Sequence, residues 1–141
     1  IWMYRHLRGE TLTIYGSGQQ TRAFSYIDDC LRPLWTAATS DKASKQIINL
    51  GGTKEYSIND AADILIDVMG GGTKQNMDAR HEVKHAWSTW QKSVDILDYS
   101  DNTSLRDGLS KMWEWAKTQP NREQKKWTSY EVSKGIYSYW R

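Results

Sequence analysis

Cysteine is nearly absent: Cys30 stands alone, so no disulfide framework exists, and a reducing, cytoplasmic setting is expected. No apolar run approaches the length of a membrane span. The opening residues Ile1, Trp2, Met3, Tyr4, Arg5 and His6 do not have the order of a signal peptide. A bias of charge is missing too. The formal net charge is only +2, with acids and bases mixed along 141 residues, whereas a nucleic-acid binder usually gathers its basic groups on one face. There is no Gly-x-Gly-x-x-Gly spacing and no Gly-Lys-Ser/Thr, which leaves neither a dinucleotide fingerprint nor a P-loop. Position 1 is not methionine, and the chain opens inside a helical pattern without a cap, which suggests a sequence cut from something longer.

What is present suits one domain with a modest core. Mean hydropathy is −0.76, yet eight tryptophans and eight tyrosines supply large buriable surfaces. The centre of the pattern is residues 12–29, LTIYGSGQQTRAFSYIDD. Two runs that suit strands, Leu12–Tyr15 and residues 23–27, flank a turn of Gly16, Ser17 and Gly18. An arginine just past such a turn, Arg22, can aim its planar fork at an anion. The same residues also fit a β-hairpin with a solvated arginine. Asp28 and Asp29 then suit the opening of a helix, as caps and as dipole partners.

Around that centre the spacing predicts a sequence of helices. Residues 1–8 read as a helix end stopped at Gly9. Ile27, Leu31, Leu34, Trp35 and Ala38 form one apolar stripe, interrupted by Pro33, which should bend or loosen the helix. After a polar loop, residues 46–52 read as a short buried strand ending in glycines. Ser57 caps a helix with apolar positions Ile58, Ala61, Ala62, Leu65, Ile66 and Met69, and Asp60 nearly completes a capping box. Gly70, Gly71 and Gly72 stop it. Residues 80–87 read as extended. His81 and His85 have zinc-ligand spacing with Glu82 between them, but no third ligand lies close, so no metal site is assigned. Ser88 or Thr89 caps a helix containing Val94, Ile96 and Leu97. A last helix begins near Thr103 and Ser104, buries Leu105, Leu109, Met112, Trp113 and Ala116, and closes at Pro120.

Two stretches carry a family resemblance. Residues 9–29, GETLTIYGSGQQTRAFSYIDD, resemble the nucleotide-sugar epimerases and dehydratases of the extended short-chain dehydrogenase/reductase family, UDP-glucose 4-epimerase-like enzymes included. Their pattern is close to G-x-P-L-x-I-Y-G-x-G-x-Q-T-R-D-F-x-Y-V-D-D. Thr11 and Ala23 depart from it. Arg80, His81, Glu82, Val83, Lys84 and His85 resemble the family's R-x-G-D-V-K-H or R-x-E-V-K-H segment, one residue shorter than the first form. The resemblance implies an α/β fold, the C-terminal substrate-binding part of a Rossmann-type enzyme with short strands and several helices. It implies a substrate-binding portion over residues 1–120 and an aromatic, basic tail over residues 121–141.

The resemblance further implies that NAD and the catalytic groups lie on an N-terminal Rossmann half absent from this chain. Tyr130 and Lys134 have the family's catalytic Tyr-x-x-x-Lys spacing but stand after the substrate segments, so no catalytic residue is assigned. In this half the chemistry is recognition of a UDP- or dTDP-sugar. By the same resemblance Arg22 and Arg80 are expected to clamp the diphosphate, whose charge and shape two guanidinium forks match. The resemblance places Thr13 and Tyr15 along the base, with the Ile58 backbone closing that pocket. It likewise implies that Phe24 borders the sugar-phosphate and that Glu82 approaches the ribose hydroxyls. The expected partners are a nucleoside diphosphate sugar and the N-terminal half, with room for a homodimer in the full-length enzyme and with no nucleic acid or membrane. A stand-alone nucleotide-sugar-binding module and an RNA-binding module using the aromatic tail remain open alternatives.

Overall fold

A computed structural model describes residues 1–120. Helix α1, Trp2–Leu7, leads into strand β1, Leu12–Tyr15, and then β2, Thr21–Ala23. Helix α2 spans Ile27–Thr39 and a 3-10 turn Asp41–Ala43. Next come β3, Glu55–Ser57, helix α3, Ile58–Val68, β4, Lys74–Met77, and β5, His85–Ala86. Two helices finish the described chain: α4, Gln91–Leu97, and α5, Leu105–Thr118. The fold is therefore mixed α/β with short strands, as expected.

The strands form two small sheets rather than a hairpin. β1 pairs with β4 in parallel, Leu12 opposite Lys74 and Tyr15 opposite Met77. β2 is the middle strand of the other sheet, antiparallel to β3 and parallel to β5. The turn at residues 16–18 therefore hands the chain from one sheet to the next. Gly16 and Gly18 both have positive φ, +67° and +73°, a conformation that glycine adopts without a Cβ clash. At Gly18 a Cβ would also collide with the Asn59 side chain.

The core lies where α1, α3 and α5 close on β1. Met3, Leu12, Leu65, Met69, Trp113 and Ala116 form one buried cluster. Leu12 and Ile14 point inward along β1 while Thr13 and Tyr15 remain half-buried on the other face, the period-2 alternation of a strand. The capping box on α3 is complete: Ser57 Oγ accepts from the Asp60 amide at 3.0 Å, and Asp60 Oδ2 accepts from the Ser57 amide at 3.3 Å. On α5, Ser104 Oγ accepts from the Asp107 amide at 3.1 Å. Leu97, the last residue of α4, and Tyr99 just after it are also buried. Burial pushes the Tyr99 phenol up to about 12, with the Asp101 carboxylate adding to the shift.

Several sequence expectations change. The second strand run lies at Thr21–Ala23 rather than residues 23–27, because Ile27 already opens α2. Tyr26 stands at the N-cap of α2 with no side-chain cap bond; Asp29 instead accepts from the Thr103 amide at 2.8 Å, tying α2 to the start of α5. The helix passes through Pro33 without interruption, and Pro33 is its one buried residue. Its apolar stripe faces outward, Leu31 and Trp35 being 55% and 72% exposed. Residues 46–52 form no strand, and Ile47 is 89% exposed; an apolar run forms no ladder when no strand lies beside it. Trp90, not Ser88 or Thr89, precedes α4. Strands β3 and β4 were not expected. The aromatic tail, with Tyr130 and Lys134, lies outside the described residues.

Candidate functional site

β2 sets the site because it is the middle of three strands. Arg22 stands opposite Tyr56 on β3 and Ala86 on β5, so its backbone is held on both sides. Its neighbour Thr21 faces a polar group, donating to Glu55 Oε2 at 2.5 Å and lying 2.9 Å from His85 Nδ1. Arg22 reaches the other way. Its Nη1 donates to the Thr21 carbonyl at 2.7 Å and its Nη2 to Glu82 Oε2 at 3.0 Å.

Glu82 joins the two stretches that carried the resemblance. Besides Arg22, it lies 3.9 Å from Arg80 Nε through Oε1. The same oxygen accepts from Gln20 Nε2 at 3.0 Å, and that amide also donates to the Tyr15 carbonyl at 3.0 Å. The Arg80 guanidinium lies over the Tyr15 ring, 4.0 Å from its centre, a cation–π contact that fixes the plane of the fork. Two arginines, one carboxylate and one aromatic ring therefore meet at the C-terminal end of β1.

The N-terminus of α3 closes this corner. The Ile58 amide donates to the Gln20 carbonyl at 3.0 Å and the Asn59 amide to the Gly18 carbonyl at 3.0 Å. Asn59 Nδ2 reaches the Ser17 carbonyl at 2.8 Å. These bonds lock the glycine turn in place, and they also occupy amides that could otherwise face an anion.

Thr13, Tyr15, Arg22, Ile58, Arg80 and Glu82 all line one cavity of about 660 Å³. Phe24 does not line it. It follows β2 at the surface, 37% exposed, with its ring tilted against Tyr56 at 6.5 Å. The cavity is lined by Arg22, Arg80 and Glu82 on one part and by Trp2, Tyr4, Met112 and Trp115 of α1 and α5 on another, where Arg5 and Arg8, both paired with Glu10, also border it. Trp2 also fastens α1 over β1, its indole donating to the Thr13 carbonyl at 2.9 Å. A second cavity of about 460 Å³ shares Tyr15, Gln20, Arg80 and Glu82 with the first and adds Lys84 and His85.

Gln20, Trp2 and Trp115 are site residues that sequence reasoning did not single out. Gln20 had one signal, its match to the glutamine of the Gly-x-Gly-x-Gln-Thr-Arg pattern, but no role was assigned to it. Trp2 and Trp115 had none beyond helical spacing. Among the described residues no cluster of His, Cys, Asp or Glu could hold a metal ion. His85 turns to Thr21, and His81 is also engaged. Among the described residues the run of three glycines at 70–72 follows α3 instead of opening a helix. No helix among them is long and apolar enough to cross a membrane.

Residues 1–51 match the family described as NAD dependent epimerase/dehydratase family. A UDP-glucuronate 4-epimerase of Thermodesulfobacterium geofontis is 34% identical over 119 residues, covering 82% of this chain and 35% of that protein. An uncharacterized UDP-glucose epimerase of Bacillus subtilis is 30% identical over 108 residues, covering 75% of this chain and 34% of that one. The crystal structure of UDP-glucuronic acid 4-epimerase from Bacillus cereus, in complex with UDP-glucuronic acid and NAD, superposes with a TM-score of 0.74 at 36% identity, over 82% of this chain and 38% of that chain. The chain thus spans about a third of the length of the curated relatives it matches.

Proposed function

We propose that this chain, which matches the NAD dependent epimerase/dehydratase family over residues 1–51 and is similar to nucleotide-sugar epimerases over most of its length, supplies the nucleotide-sugar-recognition part of such an enzyme and that NAD is held elsewhere. The observation that carries this reading is the gathering of Thr13, Tyr15, Arg22, Ile58, Arg80 and Glu82 around one cavity of about 660 Å³. A volume in this range suits a ligand buried over most of its surface. Residues from positions 13 to 82 converge there through β1, β2, α3 and the segment before β5.

In this proposal the part lined by Arg22 and Arg80 holds the diphosphate and Tyr15 presents a ring face to the base. Arg22 and Arg80 supply parallel N–H donors for phosphate oxygens. Glu82 accepts from the ribose hydroxyls. Phe24, being off the cavity, contributes only indirectly, through Tyr56. The clamp's purpose is positioning: a sugar held by its diphosphate presents one carbon reproducibly to a hydride acceptor. NAD supplies that acceptor chemistry when bound, on a Rossmann half covering the outward face of α2. Homodimer formation in the complete enzyme remains part of the same proposal.

The test is a pair of calorimetric titrations on the purified chain. UDP or dTDP should bind saturably and NAD should give no saturable heat. A micromolar, saturable NAD signal would overturn the division of labour, and absence of nucleoside diphosphate binding would remove the site.

A further inference from the structure

The part of the cavity lined by Arg22 and Arg80 contains an anion of its own. We infer that Glu82 is a specificity-determining residue that refuses bare phosphates by pairing with Arg22 and lying beside Arg80, so that part of the positive charge of the two guanidinium groups is already offset. The inference rests on the nucleotide reading above for the ligand it admits, though not for the anions it turns away.

Three contacts hold the carboxylate in place. Oε2 is 3.0 Å from Arg22 Nη2, and Oε1 lies 3.9 Å from Arg80 Nε and 3.0 Å from Gln20 Nε2. The Arg22 and Glu82 side chains are each only 25% exposed, so water screens the pair partially rather than fully. Gln20 is itself fixed at both ends. Its side-chain amide donates to the Tyr15 carbonyl, and its backbone carbonyl accepts from the Ile58 amide. The carboxylate is therefore placed between the two guanidinium groups by β1, α3 and the glycine turn together.

An incoming diphosphate must take the Arg22 donors from that carboxylate. The Glu82 carboxylate thus lowers the positive charge that Arg22 and Arg80 present to the diphosphate, while Arg5 and Arg8, which line the same cavity, are paired with Glu10. A bare phosphate or pyrophosphate brings mainly acceptor oxygens, so the displaced carboxylate gains no donor and faces like charge. A ribose beside the diphosphate brings two hydroxyl donors. These can replace the hydrogen bond that Glu82 loses. The same residue thus penalises abundant simple anions and tolerates the nucleoside diphosphate.

Glu82→Gln isolates the charge, since the amide oxygen can still accept from Gln20. The chain is titrated at low ionic strength with inorganic pyrophosphate and, separately, with UDP. Pyrophosphate should bind about tenfold more tightly to Glu82→Gln than to the wild type, and UDP should bind no more tightly or more weakly. Glu82→Asp, whose shorter carboxylate withdraws from Arg22, should give a smaller gain for pyrophosphate, and it serves if the first variant does not fold. Pyrophosphate affinity unchanged or weakened in both variants overturns the inference. If pyrophosphate tightens but the wild type binds UDP no better than pyrophosphate, the nucleotide reading fails while the anion-refusing role of Glu82 stands.

Discussion

Arg22 is the residue on which the proposed recognition depends most, because its backbone is fixed by two neighbouring strands and its fork opens on the cavity. Arg22→Ala removes charge-assisted bonds worth about 1.5–3 kcal/mol to a bound diphosphate, an affinity loss of about tenfold to a hundredfold for UDP. Arg22→Lys should recover only part of it, since an ammonium cannot reproduce two parallel donors. Folding should change little, because the Arg22–Glu82 pair is partly solvated. A solvated arginine outside any site predicts unchanged UDP affinity in both variants, and calorimetry separates the cases. Tyr15 and Arg22 were legible because they flank a glycine turn within a recognisable motif, and Arg80 because it opens the Arg-x-Glu-Val-Lys-His segment. Gln20 was not, because a neutral amide acquires its role only when folding brings Tyr15 and Glu82 to its two sides.

At the scale of elements, helices were read more truly than strands. Met3 in α1, Leu65 in α3 and Trp113 in α5 are buried at helical spacing, and each of α3 and α5 opens on a serine cap, a local signal. β4 reads Lys74, Gln75, Asn76, Met77 and has no alternation to announce it; it is a strand because β1 lies beside it. Conversely, residues 46–50 have a strand's composition and no ladder partner among the described residues. Strand formation is decided by neighbours more than by propensity. The capping box of α3 offers a test at this scale, because α3 both supports the core and anchors the glycine turn. Ser57→Ala leaves the Asp60 amide without its acceptor and should cost about 1 kcal/mol of stability. Chemical denaturation should show a lower midpoint, and UDP affinity should fall modestly because Ile58 and Asn59 hold Gln20 and Gly18. An unchanged midpoint would mean that the cap does not govern the helix start.

Over the whole molecule, burial is uneven. The cluster of α1, α3, α5 and β1 is closed, whereas Ile27, Leu31, Leu34 and Trp35 on α2 are 60%, 55%, 54% and 72% exposed, with Ile47 at 89%. The helical period of α2 was correct, but its direction could not be read: a stripe at helical spacing identifies an apolar face and not the body that covers it. Single exposed apolar residues are ordinary, while a contiguous helical face of four marks a surface meant for contact. Under the proposed function this face lies against the part of the enzyme that carries NAD. The purified chain should therefore enhance the fluorescence of a hydrophobic dye and tend to self-associate at raised concentration. Replacing Leu34 and Trp35 together with serine should lower dye fluorescence by about half or more. UDP affinity should not change, since α2 contributes nothing to the lining of the cavity. Dye binding by a molten core would instead persist in the serine variant and accompany loss of a cooperative melt. A wild-type chain that stays monomeric, melts sharply and binds no dye would show that the α2 face is already satisfied and would count against a covering half.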